Sequence, residues 1–279
     1  MTGGRAPAGS GANIAPRTTV LIGAPPVAAS VEPVSPEPPP FDRRAVLRQY
    51  WAELAYLHWP YEPAVVQRLL PAGVTVDTFD GRAWIGLIPF EMRNVRLGPT
   101  PPLPWVSQFI EVNVRTYVTD AHGRRAVWFF SLDVPRTVVV AVARTAFALP
   151  YCWARCHHEH RGERHRYRLT RRWPRAGAGA GADLAFTVDR ALDPREVSDL
   201  DHFLTARWAL LTRRGRRVQR GVVDHPRWPL WSVDDVEVGQ DLIEAAGLPA
   251  PVGSPHVRYS PGVEVQVAWF DALPPVGGG

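Results

Sequence analysis

One predicted β-strand, at residues 107–119, carries the side chains of this chain best suited to chemistry. By the strand period of two, Glu111, Asn113 and Arg115 share one face with Phe109 and Tyr117, while the opposite face from Ile110 to Val118 is aliphatic apart from Thr116. In such a row a carboxylate can move a proton, an amide can orient a ligand and a guanidinium can hold an anion. Two interpretations stay open: a solvated outer face with an ion pair within the row, or a row that faces a barrel interior and orients a ligand.

A single arginine, Arg144, interrupts the otherwise apolar segment 143–151. If it is buried, its charge needs a partner, and a carboxylate is the best one. We therefore expect a salt bridge to Glu111 or Asp133, a bound ligand carboxylate, or both. Tyr151 closes the segment. With the usual tyrosine pKa of about 10 it is a poor nucleophile, but it can donate a hydrogen bond to an oxygen that gains negative charge.

Two histidines stand beside tryptophan and proline, His58 in the segment 58–60 and His225 in the segment 225–231. Prolines stiffen such loops, tryptophan makes a good pocket wall, and histidine is the natural acid or base near neutral pH. His225 is therefore a candidate acid–base residue and His58 a candidate ligand contact. The same surroundings also suit a hydrogen-bonded structural histidine.

A cysteine and two histidines in the next segment have the spacing of a metal site. On a strand, Cys156, His158 and His160 share a face, and two histidines separated by one residue suit zinc. The segment is rich in arginine, however, and runs toward a turn near Gly162. We therefore expect adventitious binding to an exposed histidine-rich hairpin rather than a physiological metal, and we predict no cofactor.

The composition excludes several classes of function. All 32 basic residues among the 279 are arginine, so no lysine can form a Schiff base, act as a base or serve a P-loop. The net charge is +5, and an arginine cluster at 213–220 suits phosphate contacts. This cluster follows an expected helix, whose dipole favours cations at that end, and no nucleic-acid motif accompanies it, so we do not expect a nucleic-acid partner.

Membrane insertion and a disulfide framework are also not expected. No apolar run reaches the roughly 20 residues of a transmembrane helix, and two cysteines in a chain of this length indicate a reducing cytoplasm. Residues 1–40 hold nine of the 29 prolines and are rich in alanine and glycine, so we predict a disordered extension there. Residues 41–274 then form a single domain, and 275–279 a flexible tail.

The elements that must position the candidate residues are mostly strands. Helices are predicted over residues 42–51, 63–70, 137–147 and 199–211. Hairpins join 74–79 to 82–95 across Asp80-Gly81, and 107–119 to 125–132. Further strands are predicted over 153–160, 164–172, 184–188, 218–223, 233–238 and 256–270. Many hairpins with few helices indicate an α+β fold that is predominantly antiparallel β, built as a barrel or strongly curved sheet.

From about His58 to Val267 the chain resembles a family of bacterial proteins, the YqjF-like proteins, also called domain of unknown function 2071. Eight stretches carry the resemblance, in the same order along the chain. They are Leu57-His-Trp59, Leu70-Pro-Ala-Gly-Val74, Asp77-Thr-Phe-Asp-Gly81, Phe109-Ile-Glu-Val-Asn-Val-Arg-Thr-Tyr-Val118, Phe129-Phe-Ser-Leu-Asp133, Ala143-Arg144 with Leu149-Pro-Tyr151, Phe203-Leu-Thr-Ala-Arg207 and His225-Pro-Arg-Trp-Pro-Leu230.

That family is similar to the acetoacetate decarboxylases, so the resemblance implies a cone-like antiparallel barrel with a few flanking helices. In the decarboxylases an arginine is followed six residues later by proline and then by two lysines, the first of which forms the Schiff base. Here Arg144 and Pro150 keep this offset, but Tyr151 and Cys152 replace the lysines. The resemblance also matches Glu111 to a pocket glutamate. It therefore implies a pocket that persists without its nucleophile.

Two functions remain open on this basis. The first is a lysine-independent enzyme acting on a small carbonyl or carboxylate compound, with Glu111 as acid or base, Tyr151 as hydrogen-bond donor, and Arg115 or Arg144 as the carboxylate anchor. The second is a non-catalytic protein that binds a small acidic or carbonyl ligand in the same pocket. Because the decarboxylases assemble into large oligomers, the resemblance also implies that a homo-oligomer is possible.

Overall fold

The computed structural model of the chain describes residues 1–4, 30–102 and 104–274. Most of the predicted extension, residues 5–29, and the predicted tail, 275–279, lie outside the described residues. The part of the extension nearest the domain contacts it, because the Glu32 amide donates to the Gly123 carbonyl at 2.9 Å and the Ser35 carbonyl accepts from the Trp208 indole at 3.2 Å. The domain boundaries at 41 and 274 stay predictions.

The described residues form one sheet of thirteen strands with four short helices. The strands are β1 Ala45–Tyr61, β2 Val74–Val76, β3 Ala83–Leu97, β4 Phe109–Asp120, β5 Arg125–Val134, β6 Tyr151–Arg161, β7 Arg164–Trp173, β8 Gly181–Ala191, β9 Ala209–Arg214, β10 Arg217–Asp224, β11 Trp231–Gln240, β12 His256–Ala268 and β13 Asp271–Ala272. The helices are α1 Pro63–Gln67, α2 Thr137–Ala146, α3 Asp199–Thr205 and α4 Leu242–Ala245.

Nine of the strands close into a barrel in the order β5, β6, β7, β8, β11, β12, β1, β3, β4, with β4 pairing back to β5. Every neighbouring pair is antiparallel except β5 with β6, which are parallel and are joined through α2. Closure leaves this part of the sheet with no free edges. The predicted antiparallel barrel with few helices is confirmed.

A second, smaller ring shares five strands with this nine-strand barrel. The first half of β5 pairs with β9 and its second half with β6, while β12 pairs with β11 near its beginning and with β10 near its end. Strands β9 and β10 thus connect β5 to β12 by a second route. We call the ring formed by β4, β5, β9, β10, β12, β1 and β3 the small ring.

The shared strands are covered on both faces. Along β1, Leu54 and Tyr56 belong to the hydrophobic core of the small ring, whereas Ala55 and Leu57 belong to the core of the nine-strand barrel. Nearly every residue of β4 is buried for the same reason. The interpretation of the Glu111 row as a solvated outer face is therefore wrong.

Several predicted elements are confirmed with small changes in their ends. The helix at 137–147 is α2, the helix at 63–70 is the shorter α1, and the hairpin of 107–119 with 125–132 is β4 with β5. The turn at Asp80-Gly81 is also present, with Phe79 and Arg82 exchanging two backbone hydrogen bonds of 3.0 Å. Its predicted strands do not pair with each other, because β2 pairs with β4 instead of β3.

Two predicted helices are wrong or too long. Within the segment 42–51, residues 45–51 belong to strand β1, which pairs with β12 and with β3. The helix predicted over 199–211 ends at Thr205, and residues 209–214 form β9, which pairs with β5 and β10. The arginine cluster therefore lies on a hairpin, and its explanation by a helix dipole is also wrong. Among the described residues, none of the helices has the length and apolar composition of a membrane-spanning segment.

Candidate functional site

A cavity of about 280 Å³ lies inside the small ring, bounded by β1, β3, β4, β5, the face of α2 and the beginning of β6. Its wall is aliphatic and aromatic over most of its area, with contributions from Leu54, Phe90, Phe109 and Val139. Charged, amide and hydroxyl side chains are few, and they are Gln49, Thr100, Glu111, Asn113, Arg115 and Tyr151. This mixture of an apolar wall and a few polar groups is typical of a small-molecule site.

The polar row of β4 points into this cavity. Glu111 is 2% exposed, Asn113 4% and Arg115 8%, and all three line the cavity. Backbone pairing with β3 on one side and β5 on the other fixes the register of β4, so the row cannot rotate outward without breaking both ladders. The sequence periodicity thus becomes a rigid line of functional groups.

Tyr151 meets Glu111 across the cavity. The Tyr151 hydroxyl donates a hydrogen bond of 2.9 Å to the Glu111 carboxylate. Burial raises the pKa of Glu111 to about 7, with a smaller contribution from Asp133 in the same direction, while the hydrogen bonds from Tyr151 and Asn113 oppose the rise. Burial and the adjacent carboxylate raise the pKa of Tyr151 well above 10. The pair therefore holds a neutral phenol beside a carboxyl that changes charge near neutral pH.

Arg115 lies farther along the row, between two tyrosine rings. Its guanidinium carbon is 5.6 Å from the ring centre of Tyr56 and 5.5 Å from that of Tyr117, and its Nη2 donates to the Tyr117 hydroxyl at 3.1 Å and the Leu204 carbonyl at 3.3 Å. Among the described residues no carboxylate pairs with it, and its buried Nε has no hydrogen-bond partner. A buried cation without a counter-ion is costly, so this site favours an anionic ligand.

Three of the predicted site residues stand outside the cavity lining. His58 is fully buried, and its Nε2 lies 2.7 Å from the Tyr117 hydroxyl. His225 is buried, with its Nδ1 2.8 Å from the carbonyl of the following proline. Arg144 is exposed: it donates to the Tyr151 carbonyl at 2.7 Å and lies over the Trp173 ring at 4.7 Å.

The expected salt bridge of Arg144 to Glu111 or Asp133 is wrong. Asp133 is completely buried and pairs with Arg171, which donates to its two carboxylate oxygens at 2.7 and 2.6 Å. Arg171 is a partner that the sequence alone does not identify. Its signal was present in β7, where every second residue is buried and Arg171 falls on the same face as Tyr167 and Leu169. An arginine near the end of such a row can equally well be exposed, so the sequence alone does not show that Arg171 is buried.

Side chains of the cysteine–histidine segment contact other residues of the protein. His158 Nδ1 lies 2.8 Å from a Glu91 carboxylate oxygen, and its Nε2 lies 3.2 Å from His165 Nδ1. Cys156 is a free thiol that packs against the core of the nine-strand barrel. Within the described ranges, no group of three histidine, cysteine or acidic side chains is arranged to hold a metal ion.

The fold is similar to that of acetoacetate decarboxylase. The structure is similar to acetoacetate decarboxylase from Legionella pneumophila, with a TM-score of 0.58 and 12% identity over 82% of this chain and 88% of that one. It is also similar to the enduracididine biosynthesis enzyme MppR, solved complexed with pyruvate, with a TM-score of 0.59 and 17% identity over 91% of this chain and 100% of that one. At these identities the likeness shows the fold alone.

Sequence comparison defines the family within this fold. Residues 48–264 match the family DUF2071, described as an uncharacterized conserved protein. The chain is 31% identical over 215 residues to the uncharacterized protein YqjF of Bacillus subtilis, covering 77% of this chain and 87% of that protein. The chain therefore belongs to the YqjF-like family.

Proposed function

We propose that this protein is an enzyme that acts on a small carbonyl or carboxylate compound without a lysine nucleophile. The observation that carries the proposal is the buried, hydrogen-bonded pair of Glu111 and Tyr151 on the wall of a ligand-sized cavity. A carboxyl with a pKa near neutrality can take up and release a proton at physiological pH. Arg115 supplies the positive charge that holds the carboxylate of the substrate.

The reaction that fits these groups is proton transfer at a carbon next to a carbonyl. The ionised Glu111 takes the proton, the C–H electron pair forms a carbon–carbon double bond, and the carbonyl π pair moves onto oxygen, which accepts a hydrogen bond from Tyr151. Once Tyr151 donates to this oxygen, Glu111 loses its donor and becomes a stronger base. Return of the proton to the same or another carbon completes an exchange or an isomerisation without a further reactant.

Two other residues act near the reacting groups. The buried Oδ1 of Asn113 has no hydrogen-bond partner within the described structure, so we assign Asn113 to ligand contact in the middle of the row. Arg144 holds the backbone carbonyl of Tyr151, which makes it a positioning residue. From the sequence, Arg144 was also expected to bind the ligand. Because Arg144 is exposed and Arg115 is buried in the cavity lining, we assign the ligand carboxylate to Arg115.

The two histidines act as positioning residues in this proposal. His58 contacts the Tyr117 hydroxyl, which in turn accepts a hydrogen bond from Arg115. His225 packs 5.0 Å from the Trp228 ring, which stacks at 6.1 Å on Trp51 of the cavity wall. Burial lowers the pKa of His225 to about 4, which favours its neutral form at physiological pH, and the proposed reaction assigns it no proton transfer.

Proton exchange with solvent tests the proposal directly. The protein is incubated in D₂O with a panel of oxo acids and lactones, and deuterium uptake next to each carbonyl is followed by NMR. We expect catalysed exchange with at least one compound, reduced about 10²- to 10⁴-fold in Glu111→Gln. The matched control Glu264→Gln changes an exposed glutamate of β12 and retains the rate. Exchange at the same rate in Glu111→Gln overturns the proposal.

Independence from lysine has its own test. The protein is treated with acetoacetate and borohydride, which fixes an imine as a covalent adduct. Because the chain contains no lysine, we expect no adduct other than one on the N-terminal amine, the remaining primary amine of the chain. Loss of proton exchange when that amine is labelled contradicts the proposed mechanism.

The second candidate function is non-catalytic binding of a ligand in the same cavity. Tyr151 and Cys152 at the positions of the two decarboxylase lysines favour it, because a fold that has lost its nucleophile can keep its pocket. Tight binding of an acid with no exchange across the whole panel is the result that supports this alternative.

We also propose a cytoplasmic location and no nucleic-acid partner. Both cysteines are free, which suits a reducing compartment. Within the arginine hairpin, Arg214 already donates to the Thr145 and Ala146 carbonyls, and Arg220 contacts the Arg125 carbonyl, so not all of the cluster is available to phosphates. The homo-oligomer stays a prediction.

A further inference from the structure

The wall of the cavity limits which acids it accepts. Apart from its few polar groups it is lined by aliphatic and aromatic side chains, including Trp51, Met92, Phe129 and Phe147. An apolar cavity of roughly 150 Å³ holds one benzene molecule. The volume of about 280 Å³ is close to twice that, so on the order of a dozen non-hydrogen atoms fit. A two- to four-carbon acid leaves much of this wall without a partner.

The two ends of the polar row are far apart. Glu111 and Arg115 are four residues apart on one strand, which separates their Cα atoms by about 13 Å at the usual rise. The Arg115 guanidinium contacts Tyr117 and Leu204, on the side away from Glu111. Its charge therefore lies at least roughly 10 Å from the Glu111 carboxyl, given the same rise. One small acid cannot place its carboxylate on Arg115 and an adjacent carbonyl on Tyr151.

We propose that the substrate is a carboxylic acid with an apolar body, whose reacting carbonyl is several carbon atoms away from the carboxylate. The carboxylate binds Arg115, the apolar body lies along the wall past Asn113, and the carbonyl meets Glu111 and Tyr151. This inference rests on the proposed function, because it takes that pair as the reacting centre. It excludes acids whose carbonyl is adjacent to the carboxylate or one carbon removed from it.

Binding of saturated straight-chain acids tests whether the cavity holds an apolar chain, independently of the reaction. Titration calorimetry is carried out with acids from acetate to dodecanoate. We expect the affinity to rise about fourfold per methylene up to about ten carbons, and then to stop rising when the cavity is full. In Ala143→Leu, which fills part of the cavity, we expect the rise to stop at a shorter chain while acetate binds as before. An affinity that does not depend on chain length overturns the inference.

The carboxylate end is tested with Arg115→Gln. We expect every acid of the series to bind about 10- to 100-fold more weakly, because the loss concerns the head group and not the chain. The control Arg213→Gln removes an exposed arginine and leaves the affinities unchanged. Binding of long acids that is unaffected by Arg115→Gln overturns the orientation. Should Arg115→Gln fail to fold, the chain-length series with Ala143→Leu still decides whether an apolar body is bound.

Two isomeric substrates test the distance between carboxylate and carbonyl. The compounds 3-oxooctanoate and 7-oxooctanoate have the same atoms and charge, but only the second has a remote carbonyl. We expect protein-catalysed deuterium exchange beside the carbonyl to be at least about 100-fold faster for 7-oxooctanoate. Equal exchange of both isomers, abolished by Glu111→Gln, overturns this inference and leaves the proposed function standing. Chain-length-dependent binding with no exchange of any compound overturns the proposed function instead.

Discussion

At the scale of single residues, the proposed chemistry depends on a carboxyl group that folding has removed from water. Burial raises the pKa of Glu111 from 4.5 to about 7 against the opposing hydrogen bonds from Tyr151 and Asn113. A group with this shift binds protons more tightly in the folded state than in the unfolded state. Its contribution to stability is therefore fully present below pH 4.5 and is lost as the pH rises through 7.

Glu111→Gln should thus stabilise the protein at alkaline pH. At pH 5 the amide and the protonated acid are alike, and we expect little change in the free energy of unfolding. At pH 8 we expect Glu111→Gln to be more stable by up to about 3 kcal/mol, because it removes a buried charge. Urea unfolding at the two pH values measures this difference. Equal stabilities at pH 8, or the same difference at both, contradict the raised pKa, and Glu264→Gln serves as the exposed control.

Removal of the Tyr151 hydroxyl should change both the rate and its pH dependence. Without its donor the Glu111 carboxylate is less stabilised, so in Tyr151→Phe its pKa rises further. We expect kcat to fall about 10²- to 10³-fold, and the pH at which kcat/KM reaches half its alkaline plateau to move upward from about 7. Tyr50→Phe, outside the cavity lining, is the matched control. An unchanged pH profile contradicts the coupling of the two side chains.

The row on β4 was predictable because a strand period is a local property of the sequence. Which face is buried was not, since β4 belongs to two rings and both of its faces are covered. The partner of Asp133 could not be predicted from the sequence either. Arg144 is the single arginine of a partly apolar segment, whereas Arg171 is one of five arginines in β7, and only the path of β7 past β5 brings Arg171 to Asp133.

At the scale of elements, local sequence patterns predicted the wrong structure where pairing between distant strands determined it. The segment 42–51 has a weak helical pattern, but two ladders, to β12 and β3, hold it as a strand. The apolar positions from Leu200 to Leu211 fit one helix, yet Ala206 leaves the helical conformation with a ψ of 79° and the last residues complete the small ring. Helix propensity is a weak preference that such tertiary pairing overrides.

A buried ion pair connects two strands, β5 and β7, that are separated in the sheet by β6. Asp133 near the end of β5 and Arg171 of β7 form a buried, bidentate ion pair, which Ser131 extends with a hydrogen bond of 2.9 Å. We expect Asp133→Asn to destabilise the protein by about 3–5 kcal/mol, because it leaves the arginine charge buried and uncompensated. Chemical denaturation measures the change.

An exposed pair provides the comparison for that result. Arg190 and Glu196 form a bidentate pair on the surface, and Glu196→Gln should cost at most about 1 kcal/mol. A similar loss for Asp133→Asn and Glu196→Gln would mean that the buried pair does not connect β5 to β7 as described.

At the scale of the whole molecule, the two rings are one structure because they share five strands. We therefore expect a single cooperative unfolding transition. Phe186→Ala in the core of the nine-strand barrel and Phe203→Ala in the core of the small ring should each cost about 3–5 kcal/mol. Each variant should shift the transitions seen by tryptophan fluorescence and by far-UV circular dichroism together. Separate transitions for the two rings contradict this, and Val252→Ala at an exposed site is the control.

The architecture also explains where the cavity can exist. The nine-strand barrel is filled by its own core of aromatic and aliphatic residues, whereas the small ring is closed by α2 and keeps space between that helix and β4. The family resemblance predicted a pocket in an acetoacetate decarboxylase-like barrel, and the fold is confirmed. The presence of a second ring, which contains that cavity, was not predictable from hairpin signals, because it depends on the two forked strands β5 and β12.

The most direct test of the proposed chemistry is the protonation of Glu111 itself. Infrared difference spectra recorded as a function of pH report the carbonyl stretch of a protonated carboxyl group, and subtraction of Glu111→Gln isolates the signal of this residue. We predict a band that disappears with a midpoint at about pH 7 and is absent from the variant. A Glu111 signal that titrates at about 4.5, the ordinary value for glutamate, contradicts the buried acid–base pair.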